Sequence, residues 1–151
     1  MTGYVLLFAA LALATAFDIR KRKIPDAAHV LLFFSGMLFI FADARDWRGR
    51  LAGFLVIGIT MLAVGLWLGN LGGGDIKMGA CLGFALGILP ASYAILAGLF
   101  LVAIVCAVKN RVKSKSEAVP LAPFFSIGCA AVFLFKEVLY ECVNANKRKK
   151  K

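Results

Sequence analysis

The chain has 151 residues and a formal charge of +10, yet only 17% of it is charged, 62% is hydrophobic, and its mean hydropathy is +0.86. A soluble domain of this length needs far more surface charge, and the apolar residues come in runs of about 20 with charges confined between them, as in membrane-spanning helices. The cations sit in short loops and at the C-terminus rather than along one polar helix face, which excludes a nucleic-acid groove reader and fits orientation against anionic lipid.

The first predicted element, Met1 to Phe17, is uncharged, apolar and followed by Asp18. It lacks the basic n-region of a secretory signal and more spans follow, so it reads as a retained helix. Four consecutive cations, Arg20 to Lys23, place the next loop in the cytoplasm. Pro25 disfavours helix at Ile24 and suits the start of a second span, Ala27 to Ala42, in which His29 reads as a polar interfacial residue rather than a ligand. The loop Asp43 to Arg50 then faces outside, with Trp47 suited to the interface. The third span, Leu51 to Leu68, returns inward, and Gly65 and Gly69 offer a close-packing point.

The glycine-rich turn Gly69 to Gly74 lies on the cytoplasmic side, where its residues can hold backbone conformations closed to others and let a bound peptide approach. A fourth span begins over Ile76 to Leu89, Pro90 with Ser92 marks an external turn, and a fifth span runs from Tyr93 to Val108. The stretch Lys109 to Glu117 is a second strongly basic cytoplasmic loop. Val119 to Phe135 is the sixth span, and Pro120 and Pro123 near its start loosen the helix and leave backbone groups able to bond a ligand. The remainder mixes charge with apolar residues and looks interfacial. Six spans put both termini outside, with the basic tail, Lys147 to Lys151, as a late and weak topological signal. The expectation is therefore an all-α polytopic membrane protein of about six transmembrane helices, forming one membrane-embedded domain over residues 1–151. The cysteines, Cys81, Cys106, Cys129 and Cys142, show no metal-ligand or CxxC spacing and read as small apolar filler.

Within this frame the stretch Leu71 to Gly87, LGGGDIKMGACLGFALG, holds an acid behind three glycines and ahead of an apolar helix. A carboxylate at a helix centre in the bilayer costs about 2.5–3.5 kcal/mol, so an acid at membrane depth calls for a functional reason. Asp75, Gly79, Gly83 and Gly87 recur every four residues on one helix face, and Ala10, Ala14 and Asp18 repeat the design. Small residues at this spacing let helices pack backbone to backbone in lipid. The two stripes are expected to meet on antiparallel helices and to bring Asp18 and Asp75 together at the same depth. Two carboxylates in contact share a proton, which suits aspartic hydrolysis without a metal, a thiol or a Ser/His pair. Taken singly, Asp18 also fits a loop cap and Asp75 a helix N-cap.

These residues resemble the type IV prepilin peptidases, of the GxGD class of intramembrane aspartyl proteases. Gly72, Gly73, Gly74 and Asp75, followed by Lys77, match the GxGDxK pattern. Asp18 with Ile24 and Pro25 is similar to the D…IP segment after the first acid. VPLAPFFSIG, Val119 to Gly128, is similar to the proline-containing segment near the family's C-terminal end. The resemblance implies that Asp18 and Asp75 are the catalytic pair and that Gly72 and Gly74 shape the active-site loop. Lys77 either helps to position that loop or snorkels at the interface.

The implied substrate is a prepilin with a short basic leader, cut at the cytoplasmic face of the plasma (inner) membrane ahead of its apolar helix, with no cofactor and no metal. No cytoplasmic segment with CxxC pairs is present, so methyltransferase activity is not expected. The chain looks like the short peptidase-only branch that serves tight-adherence (Flp-type) pili, and the archaeal preflagellin peptidases are a similar branch. A small proton-coupled transporter would put its acids near the midplane and often carries an internal repeat. A non-catalytic pilus assembly scaffold would tolerate Asp75→Asn. No stretch specifies an oligomeric state.

Overall fold

The computed structural model describes residues 2–21, 24–42, 47–68, 72–111 and 120–149. Six helices and no strand are found among them: α1 (Thr2–Lys21), α2 (Asp26–Ala42), α3 (Trp47–Leu68), α4 (Gly73–Leu86), α5 (Ile88–Arg111) and α6 (Ala122–Lys149). The protein is an all-α polytopic membrane protein. Several predicted features lie outside the described residues: Arg22 and Lys23 of the first basic loop, 43–46 of the outer loop, 69–71 of the glycine turn, 112–119 of the second basic loop with the start of the sixth span, and the last two lysines.

Three stretches are long and apolar enough to cross a membrane on their own, Gly3–Lys21, Trp47–Trp67 and Ile88–Val108, while the apolar parts of α2 and α6, Asp26–Phe41 and Ala122–Phe135, are shorter. The helix α4 has 14 residues. Its rise is about 21 Å, short of a hydrocarbon core of about 30 Å. It has no need to match the bilayer, because protein surrounds it. Met78 through Ala85 are buried without a break, and α4 packs on α2, α3 and α5. A helix apolar all round its circumference belongs in the middle of a bundle.

Small residues set the closest approaches. A Cβ built on Gly83 would stand 2.7 Å from the Gly53 carbonyl carbon, and one on Gly79 would stand 3.1 Å from the Met61 side chain. The stripe on α4 therefore turns to α3, and the expectation that it meets the stripe on α1 is corrected. Four-residue spacing makes a surface on which a backbone can lie, but it does not choose the backbone. Ala10 and Ala14 are buried, as their spacing implies, on a helix whose main neighbours are α2 and α6.

The external turn also moves. It is made at Gly87, whose φ of 84° is open to glycine and strained for other residues. The Gly87 N–H donates to the Gly83 carbonyl at 2.9 Å and closes α4. Pro90 is instead the third residue of α5, where its missing N–H leaves no helical bond unmade. Ser92 donates its hydroxyl back to the Ile88 carbonyl at 2.7 Å. Near this end Arg50 of α3 donates to the Ala85 carbonyl of α4 and stands over the Phe39 ring at 5.1 Å. A cation at the last carbonyls of α4 satisfies groups that the helix leaves open.

Candidate active site

The opposite end of the bundle gathers the end of α1 and the starts of α2, α4 and α6. Asp18 lies in the last turn of α1 and is only 6% exposed. Its Oδ2 accepts the backbone N–H of Ala122, the first residue of α6, at 3.0 Å. That N–H is one of the donors a helix start leaves without an intrahelical partner, and a carboxylate there is favoured by the helix dipole. The sequence expected a free backbone group at this helix start to meet a ligand; in the structure Asp18 takes it. One turn deeper, Thr15 and Ser126 join their hydroxyls at 2.8 Å, and Ser126 also donates to the Ala122 carbonyl at 2.9 Å. Together these bonds fix α1 against α6 and with it the direction of Asp18.

Asp75 enters from the other side of the site. Gly72 is the N-cap of α4, with extended backbone and no side-chain cap. Asp75 is therefore the third helical residue, not the N-cap. Its N–H donates to the Gly72 carbonyl at 3.0 Å. The glycines here are not used for left-handed conformations, as the sequence suggested they could be. Their value is space. A Cβ on Gly72 would stand 3.1 Å from Asp75 Oδ2, one on Gly74 would touch Ile24 at 3.6 Å, and one on Gly73 would meet nothing. The Ile24 side chain thus lies beside Gly74 of the glycine loop.

Asp75 lies ahead of the predicted apolar span, in the first turn of α4. Burial pushes its carboxyl up to about 6, the negative charge of Asp18 adds to the rise, and a hydrogen bond from the Gly72 backbone pulls the other way. The two acids are electrostatic neighbours. The D…IP segment, the glycine loop and the proline segment are joined by Ile24 on Gly74, by Asp18 on Ala122, and by the field of Asp18 at Asp75.

A model of the type IV leader peptidase family matches residues 5–107. The chain belongs to the type IV leader peptidase family. No curated protein and no solved structure matches it. The matched range takes in Asp18 and the whole glycine loop but ends before α6, so the Ala122 contact is a feature of this structure beyond the family match. The protein is a membrane peptidase by family, and its predicted site residues cluster at one end of its helices.

Lys77 stays on the surface of this leader peptidase. Its side chain is 66% exposed and its Nζ lies 3.5 Å from Asp26 Oδ1, itself on an 85% exposed side chain. It touches neither acid. The residue whose contacts the sequence did not show is His29, which is only 7% exposed. Its Nε2 lies 3.0 Å from the Gly74 carbonyl oxygen, and its Nδ1 stands 3.8 Å from Asp26. Its place one turn into the helix that follows Ile24–Pro25 was the available signal, since a segment packed on the glycine loop carries its next turn there as well.

Proposed function

We propose that the chain is an aspartic endopeptidase that removes the short basic leader of Flp-like type IV prepilins, with Asp18 and Asp75 as the catalytic pair. The observation that carries this reading is the convergence of three separate motifs on two acids that feel each other's charge. Asp18, whose Oδ2 accepts the Ala122 N–H, takes the role of base, and Asp75, with its raised pKa, that of proton donor. Asp18 takes a proton from water while Asp75 donates to the scissile carbonyl oxygen, and the water oxygen bonds to the carbonyl carbon. Asp18 then gives that proton to the leaving nitrogen while Asp75 recovers one from a hydroxyl of the tetrahedral intermediate, and the C–N bond breaks. One water is consumed, and a new carboxyl and a new amine are released.

Gly72 and Gly74 serve as the loop that lets a peptide lie beside Asp75. Lys77 acts through Asp26 at the rim. The cytoplasmic orientation is supported by Arg20 and Lys21 in the last turn of α1, at the same end as the acids. The plasma membrane is the bilayer this reading assigns, and residues 1–151 act as one membrane-embedded unit. Asp18 and Asp75 lie in terminal turns of their helices rather than mid-helix, which favours hydrolysis at the membrane edge over a midplane ion path.

The reading is tested by co-expressing a Flp-like prepilin with the parent chain, Asp18→Asn or Asp75→Asn and following leader removal in membranes. Cleavage by the parent alone is expected. Cleavage by either variant at normal abundance would remove the two-acid mechanism.

A further inference from the structure

Beyond the acids, the site end holds one buried side chain whose hydrogen bond reaches the glycine loop. We propose that His29 is a positioning residue for Asp75, holding the Gly74 carbonyl through its Nε2–H. This rests on the peptidase reading above and adds a residue to it.

The geometry runs through a single peptide unit. The Gly74 carbonyl and the Asp75 N–H belong to the same planar group. One end of that plane is held by His29 Nε2 at 3.0 Å, and the other by the Asp75 N–H bond to the Gly72 carbonyl at 3.0 Å. A plane fixed at both ends fixes the Cα from which the Asp75 carboxyl springs. A carbonyl oxygen only accepts, so Nε2 carries the hydrogen, whatever the state of Nδ1. The flanking glycines supply no side chains to brace this turn, and a Cβ at Gly73 would meet nothing. The support has to come from a neighbouring helix, and α2 provides it.

A second tie joins α2 to α4, but it is of another kind. The Asp26–Lys77 pair is 3.5 Å long between side chains that are 85% and 66% exposed, and ion pairs of this sort contribute little. The His29 bond is part-buried and joins a ring that is only 7% exposed to the backbone itself, so it holds the peptide unit in a way that a pair of exposed side chains does not. The consequence is catalytic rather than only structural. A displacement of about 1 Å in a positioned catalytic group costs on the order of 10²-fold in rate, while substrate contacts away from Asp75 are left in place.

The test is steady-state cleavage of a Flp-like prepilin by purified parent, Asp75→Asn, His29→Leu, His29→Asn and His29→Gln. The Gln amide nitrogen reaches close to the place of Nε2, whereas the shorter Asn amide does not. Expected is a fall in kcat of roughly 10- to 100-fold for His29→Leu and His29→Asn with KM within about twofold, and recovery of most of the turnover in His29→Gln. Parental kcat in His29→Leu, a change confined to KM, or equal loss in the Gln and Leu variants would overturn the proposal. Cleavage by Asp75→Asn would instead overturn the peptidase reading, and this proposal with it. His29 is the only histidine in the chain. Selective ¹⁵N-histidine labelling of the parent therefore reports its ring without assignment, even if the variants do not fold. A protonated, hydrogen-bonded Nε2 is expected, and a ring bearing its sole proton on Nδ1 would overturn the proposal.

Discussion

The contact between α3 and α4 offers the sharpest mechanical test. In Gly83→Ala the new Cβ would lie 2.7 Å from the Gly53 carbonyl carbon, where ordinary contact begins at 3.4 Å. The obstacle is backbone on both sides, so no rotamer change relieves it. Overpacking of this kind costs about 1–3 kcal/mol, and the absence of a flexible neighbour puts this case near the upper figure. At about 3 kcal/mol the folded-to-unfolded ratio falls on the order of 10²-fold. The helices must part by roughly 1 Å, and α4 carries Asp75 with it, so turnover should fall by a comparable factor even in the molecules that remain folded.

The assay is thermal or denaturant unfolding in detergent beside single-turnover cleavage, for Gly83→Ala, Gly53→Ala and the double variant. A Cβ on Gly53 would meet the same interface from the other side and would stand 2.9 Å from the Ile88 nitrogen. Once one methyl has separated the helices, the second has less to disturb, so the double variant should be more stable than the sum of the singles by at least about 0.5 kcal/mol. Strict additivity, or a Gly83→Ala protein with parental stability and turnover, would refute this packing.

Other consequences follow from the site end. Gly72→Ala should slow cleavage roughly tenfold by crowding Asp75 Oδ2, while Gly73→Ala, with open space around it, should stay within about threefold; the reverse order in a kinetic comparison would contradict the loop geometry. Because Asp75 titrates at about 6 and must hold its proton to polarise the carbonyl, activity should be high below that pH and fall as pH rises through it. A profile of kcat/KM that is flat from about pH 5 to 8 would break that assignment. Thr15→Val removes a hydroxyl from the Ser126 pair and should lower stability by about 0.6–1.7 kcal/mol, as measured by unfolding in detergent, with Ser126→Ala adding little further. Two full and independent losses would show that the hydroxyls do not act together.

Much of this architecture was legible in the residues. Charge confined between apolar runs marks where helices end, which is why the starts of α2 and α3 fall within a few residues of their predicted places. Asp18 and Asp75 stood out because acids are rare in such runs, and both lie at the site end. What the sequence withheld was choice of partner. The Gly79–Gly83 spacing promises a close neighbour, and only the folded bundle makes that neighbour α3. Pro90 suits a turn and a first helical turn equally well, so it could not outvote Gly87, whose need for positive φ has no signature beyond being glycine. His29 and the Ala122 N–H escaped for a related reason. One is a single polar residue in an apolar helix, the other a backbone group, and each gains meaning from a contact more than 40 positions away in sequence.

The pairing of Asp18 with Asp75 is tested most directly by single-turnover cleavage of a Flp-like prepilin with purified Asp18→Asn, Asp75→Asn and the combined variant, each checked for parental folding. Residues that act as one unit lose nearly everything on the first removal. All three proteins should fall to the same floor. A single variant that still cleaves above that floor would contradict the pairing.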